Sequence, residues 1–494
     1  MKTKGLFLST LFVGAVIVGC TNEEVLENES SKQSKNSKNY IAVNIVPPTD
    51  FGSRGTGGEF AAGSSAENEV TDAWFVFYNA TGGYVDALKG ELEWDESDSG
   101  SVEKISSALV VLNNPQTWPT QVVALLNSRM SQTELSKLNL TQLKALYSDF
   151  SNGFVMSNSV YKDGNNIIMA TPLKDTQICK TSDLALANPV SIPVERVLAK
   201  VVAGLDVNFE VKDTDVTPQL DGTNVTFDVS IKGFKLVDTH PTAYLLKNIN
   251  GVDGWDGWND AANFRSYWAN SPSTTTYGSA SYDNIVQNAN SVTSYAEYCH
   301  ENTTGTPTKL LVAAQFKKQG AEQFETIIKY NATYFTVAGL KNYLNAQYFA
   351  DVKYGENNTN DWTSYMSFVS AKTENEWEVK LALADNSPTP NDSNTNISEI
   401  VAAINNKTMS QWTDGKCYYY VDVEHFGNKD GYKIGIVRNH WYDINITSIK
   451  GLGTPVFDPS ATIDPDRPEE ENYYVAAEVK VLKWKVVSQN VSLE

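Results

Sequence analysis

Cysteine is scarce in this chain of 494 residues. After Cys20 only three cysteines follow, widely spaced and without a CxxC pair: Cys179, Cys299 and Cys417. This spacing argues against a zinc site and against a dense disulfide framework. Two states remain open, namely three buried reduced thiols or one disulfide with a third thiol left over.

Histidine is equally scarce, and no catalytic motif accompanies it. The four histidines stand singly in the sequence, at His240, His300, His425 and His440. None belongs to an HExxH motif, and neither GxSxG nor GxxxxGK occurs. We therefore predict that the chain is not an enzyme, that it has no catalytic or metal-ligating residues, and that it needs no cofactor.

Positive charge is the third scarcity. The chain has 39 Lys and Arg residues against 59 Asp and Glu residues, which gives a formal net charge of −20. The sequence contains no stretch in which basic residues cluster. Phosphate binding needs clustered Lys and Arg, so nucleic acid is not an expected partner.

A strongly apolar run opens the chain and stops at a cysteine. Lys2 and Lys4 precede "GLFLSTLFVGAVIVG", which is too short for a membrane span and has the charge order of a secretory signal. Gly19 directly before Cys20 resembles a bacterial lipobox, so we expect residues 1–19 to be removed and Cys20 to be acylated. The alternative is an ordinary signal peptide that contains a cysteine.

The remaining sequence predicts a mainly β protein. Five segments are short, rich in β-branched and aromatic residues, and bounded by turn residues: 73–79, 121–127, 196–211, 224–237 and 308–316. Helix patterns are few, the best being 131–150, with Ser131 as cap, and 336–349. Many turn-bounded strands favour β-sandwiches, and the length favours two bodies.

One loop is a candidate ligand site. In "GVDGWDGWND" carboxylates lie next to indoles, at Asp253, Trp255, Asp256 and Trp258. Carboxylates suit Ca²⁺, and exposed indoles can stack on sugar rings. The spacing is not that of an EF-hand, however, and a packed surface loop has the same composition.

The N-terminal part of the mature region combines a strand with a candidate cleavage site. Ile41, Val43 and Ile45 alternate with smaller or polar residues, and two prolines then end the strand. A loop of small residues follows and contains Arg54, followed by Gly55. An isolated arginine in such a loop is typical of an accessible site for a trypsin-like protease, although a simple linker has the same features.

The C-terminal end has a tethered strand segment. Residues 458–472 are rich in proline and acid and too poor in apolar residues to fold alone. Residues 473–494 alternate, but the phase flips at Leu482, which predicts a β-bulge or a handover between sheets. The alternating apolar residues are Val475, Ala477, Val479 and Val481 before the flip, and Leu482, Trp484 and Val486 after it.

These ends resemble the fimbrillins of Bacteroidota, the type V pilins, and among them the major subunits of the short or minor fimbriae. The resemblance rests on "IPVERVLAKV" (192–201), "IGIVRNHWYDINITSIKGLG" (434–453), the acidic linker and "AEVKVLKWKVVSQNVSL" (477–493). Residues 212–430 match only in character. Lys483 stands where relatives often have proline.

The resemblance implies two transthyretin-like β-sandwich domains and assembly by donor-strand exchange. A lipidated precursor at the outer membrane would be cut at Arg54–Gly55, and the first strand would leave a groove for the C-terminal strand of a neighbour. The implied organisation is a signal peptide (1–19), a propeptide (20–54), two domains (55–211 and 212–457), the acidic linker (458–472) and the donor segment (473–494).

Two functions follow from these patterns. The first is a structural subunit of a cell-surface fimbria, whose partners are further copies of the chain, anchor and tip subunits, and host or bacterial receptors. The second is a monomeric surface lipoprotein that binds glycans through its tryptophan-rich loops. The tethered C-terminal strand favours the first, since a monomeric binder has no use for it.

Overall fold

The computed structural model describes residues 38–46, 63–95, 105–113, 117–148, 153–163, 166–211, 219–250, 269–272, 278–287, 295–302, 307–373, 376–425, 435–449, 451–463, 475–481 and 485–493. It is mainly β, as predicted, with short helices between the strands. Within these residues no helix has the length and apolarity that a bilayer span requires.

The first part of the chain runs to Arg196. Its strands are β1 (Lys38–Val46), β2 (Ala73–Tyr78), β3 (Tyr84–Lys89), β4 (Glu93–Asp95), β5 (Ile105–Asn113), β6 (Gln121–Leu126), β7 (Tyr147–Ser148), β8 (Met156–Asn158), β9 (Tyr161–Asp163), β10 (Asn166–Ile168), β11 (Thr171–Pro172) and β12 (Val190–Arg196). Its helices are α1 (Ser65–Asn68), α2 (Gln132–Leu135), α3 (Leu140–Lys144) and α4 (Ser182–Ala187).

Most of these strands form one nine-stranded sheet. Its order is β3-β2-β6-β8-β12-β1-β5-β4, with β11 paired to β6. The two halves of this order share one apolar core, since Ile41 and Val43 of β1 pack in the same cluster as Phe75 of β2 and Ala124 of β6. The sheet therefore folds over on itself into a sandwich.

The strands β2 and β6 are buried on both faces. Phe75 lies in the sandwich core, whereas its neighbour Val76 lies in a second cluster with Leu143 of α3 and with Leu245 and Val437 from later in the chain. Burial on both faces explains why "AWFVFY" and "QVVALL" are continuous apolar runs rather than alternating ones.

The second part of the chain begins at Leu198. Its strands are β13 (Leu198–Val211), β14 (Gln219–Leu220), β15 (Thr223–Asn224), β16 (Phe227–Val237), β17 (Ala243–Tyr244), β18 (Tyr295–His300), β19 (Lys309–Lys318), β20 (Ile327–Tyr330), β21 (Thr333–Thr336), β22 (Met366–Lys372), β23 (Trp377–Leu383), β24 (Met409–Trp412), β25 (Lys416–Asp422), β26 (His440–Ile449), β27 (Thr454–Pro455), β28 (Val475–Val481) and β29 (Lys485–Leu493). Its helices are α5 (Tyr282–Gln287), α6 (Val337–Tyr348) and α7 (Ile397–Asn405).

A second sandwich forms from two of these sheets. One has the order β18-β13-β26-β28-β29 and the other the order β16-β19-β25-β27. Their facing side chains make the largest apolar core, for example Val201, Phe234, Val312 and Ile444. The sequence of β26 predicts a strand, since Tyr442, Ile444, Ile446 and Ser448 alternate with more polar residues. The structure confirms this alternation: those four residues are buried and the residues between them are half-buried.

The sequence reasoning missed a third packed unit, which lies between β19 and β25. Strands β20 to β24 and helices α6 and α7 surround a separate core that contains Trp362 and Leu344. The predicted helix 336–349 belongs to it and is confirmed as α6, with Thr336 as its cap. The other elements of this unit were missed because they are short and because their polar sequence resembles that of a loop.

Two predicted elements are corrected. Segment 131–150 is not one helix but two single-turn helices, each with its own capping box, the first capped by Ser131 and the second by Asn139. Segment 196–211 is not one strand, because β12 ends at Arg196 in the first sheet and β13 begins at Leu198 in the second sandwich. The sheet therefore changes at Val197, before the boundary expected at 211.

The C-terminal segment, whose change of phase predicted a β-bulge or a handover between sheets, has a different structure. It forms two antiparallel strands, β28 and β29, and both pair with β26 of the same chain. The change of phase at Leu482 therefore falls between two strands of one sheet, and neither a bulge nor a handover between sheets explains it.

The acidic linker begins later than expected. Residues 458–463 pack against α5, where Ile463 is buried and its N–H donates to Ala280 O. A single buried isoleucine was too weak a signal to predict this contact.

Candidate functional site

The candidate site is the slot that β1 occupies in the first sandwich. Along Lys38–Ile45 the strand pairs antiparallel with β5, and from Val43 to Val46 it pairs parallel with β12. Its upstream part meets Cys179, since Tyr40 N–H donates to Cys179 O over 2.8 Å and Cys179 N–H donates to Tyr40 O over 2.9 Å. The strand is therefore central to its sheet, with backbone partners on both sides.

The two faces of β1 meet different surroundings. Ile41 and Val43 point into the large sandwich core and are fully buried. Ala42 points the other way, into a small cluster with Cys179 and Ala185 of α4, and half-buried Tyr40 packs on that cluster. One face of the slot thus accepts large apolar side chains, whereas the other is closed by small ones.

The chain that follows β1 is anchored at the junction of the two sandwiches. Glu67 of α1 is fully buried, its Oε1 lies 2.8 Å from Lys200 Nζ of β13, and Tyr298 of β18 donates a hydrogen bond to the same oxygen. Arg196 Nε donates to Glu67 O over 3.1 Å. Burial by itself would raise the pKa of Glu67, but Lys200, Tyr298 and the N–H of Ser64 outweigh it, so the pKa lies below its ordinary value.

Two buried ion pairs lie in the same junction. Lys247 Nζ is 3.0 Å from Glu195 Oε2, and Arg438 Nη2 is 2.5 Å from Glu301 Oε1, all four side chains being almost completely buried. Burial raises the pKa of Glu195 and lowers that of Lys247. Arg438 Nη1 also donates to Leu245 O. This hydrogen bond joins the residues just before β26 to Leu245, which packs on the first sandwich.

The histidines, although single in sequence, come together near this junction. His425 and His440 have ring centroids 4.9 Å apart, and the hydroxyl of Tyr442 lies 3.0 Å from His425 Nδ1. His300 Nδ1 lies 3.2 Å from His240 O. All four are buried. In the described part of the chain no cluster of His, Cys, Asp and Glu has the arrangement of a metal site.

The three later cysteines are also buried. Cys179, Cys299 and Cys417 form no disulfide among the described residues, so of the two states left open by the sequence the structure has the three reduced thiols. Burial raises the pKa of the Cys299 and Cys417 thiols, so neither is a reactive thiolate at neutral pH.

Several predicted site residues lie outside the described residues. They are Cys20, Arg54, Gly55, Asp253, Trp255, Asp256, Trp258, Leu482 and Trp484. The others are in β28 (Val475, Ala477, Val479 and Val481) and in β29 (Val486), where the structure describes the backbone pairing. The contacts of Glu67 with Lys200 and Tyr298 were not predicted, nor was the packing of Cys179 and Ala185 against Ala42. In each case the partners are distant in sequence.

Comparison with known proteins gives one family match, to the C-terminal domain of fimbrillin, the type IV major fimbrial subunit protein, over residues 410–490. A search of curated proteins finds no match. The matched region contains β25, β26 and most of the C-terminal segment, so the resemblance to fimbrillins holds there.

Solved structures give a loose likeness over most of the chain. A candidate cell adhesion protein from Parabacteroides distasonis is 13% identical, with a TM-score of 0.42, and the match covers 92% of this chain and 98% of that one. The tip fimbrial protein Mfa3 from Porphyromonas gingivalis is 12% identical, with a TM-score of 0.32 and coverage of 91% and 99%. A fimbrial assembly protein from Parabacteroides distasonis is 10% identical, with a TM-score of 0.30 and coverage of 72% and 100%.

Proposed function

We propose that this chain, which resembles fimbrillins over residues 410–490, is a structural subunit of a surface fimbria. It polymerises by donor-strand exchange after cleavage at Arg54–Gly55 and has no catalytic activity. Its precursor is held at the outer membrane by a lipid on Cys20. Adhesion and contacts with anchor and tip subunits belong to the assembled fibre.

The observation that carries this proposal is the place of β1. It is the first described strand, yet it lies in the middle of a sheet, between β5 and β12. The connection from β1 to the rest of the first sandwich runs through residues 47–62, which include Arg54. A single cut there separates a central strand from its sandwich.

Loss of β1 makes the subunit a strand acceptor. It exposes the backbone groups of β5 and β12 and the apolar core around Ile41 and Val43, and an incoming strand satisfies both at once. Burying about five apolar side chains contributes on the order of 10 kcal/mol gross. A chain that donates at one end and accepts at the other makes a heterologous contact that does not close, so a filament results.

The anchor at Glu67 supports the same sequence of events. It lies thirteen residues after Arg54 and binds β13 and β18, so cleavage frees β1 while the new N-terminal region stays attached. The glycan-binding alternative depends on the loop at 253–258, and no described residue favours it.

The test is Arg54→Ala. Without the arginine the precursor should keep β1, remain longer on a denaturing gel, and stay monomeric in electron micrographs. Arg54→Lys is the matched control, since a trypsin-like protease accepts lysine and fibres should then form. Normal fibres from Arg54→Ala would place the activating event elsewhere.

A further inference from the structure

The slot of β1 selects its occupant by side-chain size. Ile41 and Val43 face the large core, whereas Ala42 between them is 1% exposed and packs against Cys179 and Ala185. A larger side chain at the position of Ala42 would overpack this cluster, whose other described buried members are the small residues Cys179 and Ala185. An incoming strand therefore needs a small residue flanked by apolar ones, in the alternation of β1.

The C-terminal segment contains a stretch with a pattern of residue types similar to that of β1. Ile41-Ala42-Val43-Asn44-Ile45 of β1 corresponds to Val475-Ala476-Ala477-Glu478-Val479 of β28. Both stretches have β-branched residues at the ends, alanine at the second position and a polar residue at the fourth. The residue before each is also the same, Tyr40 and Tyr474.

We infer that β28 of a second copy of this chain enters the slot in the direction and register of β1, with Ala476 at the position of Ala42. This inference rests on the proposed donor-strand exchange and adds the register. The same direction also keeps the antiparallel pairing with β5, the longer of the two pairings of β1 and the more stable type per residue.

A different triplet in the segment has a small residue between two large apolar ones, whereas Ala476 has a large one only on the side of Val475. It is Val491-Ser492-Leu493 of β29. In the direction of β1 it brings Asn490 to the position of Tyr40, the residue that packs on the cluster of Ala42. The stretch in β28 brings a tyrosine, Tyr474, to that position and is the better occupant.

The first experiment compares the same substitution at two adjacent alanines. Ala476→Val should slow fibre growth of the cleaved protein about tenfold or more, because it overpacks the cluster of Cys179 and Ala185. Ala477→Val should grow as fast as the unchanged protein or faster, because it restores the valine that Val43 supplies. Growth is followed by light scattering and electron microscopy.

The second experiment uses Cys179 as a reporter of register. Tyr40 and Cys179 form a hydrogen-bonded antiparallel pair, whose Cα separation of roughly 5.5 Å lies within disulfide range. Tyr474→Cys should therefore form a disulfide with Cys179 of the next subunit when fibres are mildly oxidised. Tyr473→Cys, whose side chain faces the other way, should not, and Cys179→Ser should abolish the bond.

The outcomes separate the register from the mechanism. If Asn490→Cys gives the disulfide and Tyr474→Cys does not, the occupant is β29, and the register is wrong while strand exchange stands. If Ala477→Val slows growth and Ala476→Val does not, the register is shifted by one residue and is likewise overturned. If fibres form and none of the three cysteine variants is joined to Cys179, the segment does not occupy this slot, and both ideas fail.

Discussion

At the scale of the residue, the most informative contact is the buried Glu67. It joins α1 to β13 and β18 through Lys200 and Tyr298. A carboxylate in this position is stabilising only because Lys200, Tyr298 and the N–H of Ser64 all reach it, and removing one partner of a buried ion pair leaves the other uncompensated. The charge state of this one residue therefore bears on how firmly α1 is held against β13 and β18.

We predict that Glu67→Gln lowers the free energy of unfolding at pH 7 by about 1 to 3 kcal/mol, because an amide makes weaker hydrogen bonds to Lys200 and Tyr298. The folded-state pKa of Glu67 lies below its ordinary value of 4.5. The contribution of the carboxylate is thus present above about pH 4.5 and is lost as the pH falls through the folded value. Denaturant titrations at several pH values measure it.

The difference in the free energy of unfolding between the unchanged protein and the Glu67→Gln variant should therefore shrink as the pH is lowered. Glu69→Gln, two residues away at an exposed position, serves as the control and should leave the stability unchanged at both ends of the range. A constant difference across pH would mean that the loss comes from packing and not from the charge.

At the scale of the element, β1 is a strand that belongs to the precursor but, by our proposal, not to the fibre. In the precursor Val43 is fully buried in the sandwich core beside Val122 of β6. The two valines contribute to the same core, yet only Val122 remains after cleavage.

We predict that Val43→Ala lowers the stability of the precursor by about 2 kcal/mol, through lost burial and a residual cavity, and leaves the assembled fibre unchanged. Val122→Ala should lower the stability of the precursor and that of the fibre by a similar amount. Thermal unfolding of the precursor and of the purified fibre measures the effect of each variant. Fibres weakened by Val43→Ala would mean that β1 stays in place after assembly.

The elements also show where sequence patterns are reliable. β26 was predicted closely, since one face is buried and alternation reports it directly. Segment 131–150 has helical spacing and a real cap, yet it breaks after Leu135, because two capping boxes compete within nine residues. Segment 196–211 reads as one strand because both sandwiches need apolar strands there, and periodicity carries no information about which sheet a strand joins.

At the scale of the whole molecule, the two sandwiches meet in an apolar and ionic junction, and the C-terminal segment lies along β26 of its own chain. The segment adds strands at an edge of the second sandwich. An edge strand can leave without removing the core that β13, β16, β19, β25 and β26 form between them.

We predict that deletion of residues 473–494 leaves a folded monomer and abolishes fibre growth, because the neighbour's slot has no strand to receive. Val475→Asp is the milder variant; at the position of Ile41, which is buried in the sandwich core, an unpaired carboxylate costs several kcal/mol and weakens each junction by orders of magnitude. Circular dichroism reports the fold and electron microscopy the fibres.

Mixing the deleted protein with intact subunits adds a directional control. The deleted protein can accept a strand but cannot donate one, so it should cap growing fibres at one end only. Normal polymerisation of the deleted protein, or its complete unfolding, would make the segment a core strand of its own chain and rule out exchange.

Local sequence patterns are enough to predict the mainly β class, the strand at 40–46, the strand β26 and the helix α6, because alternation, capping and composition act over a few residues. Tertiary contacts are needed to show that the three later cysteines are reduced, that β1 is central, that Ala42 faces Cys179 and Ala185, that the sheet changes at Val197 and that Glu67 reaches Lys200 and Tyr298. These facts depend on contacts between residues up to 231 positions apart, and no local pattern carries them. The similarity of β28 to β1 lies between the two, since it is visible in the sequence but acquires meaning only once the slot of β1 has two unlike faces.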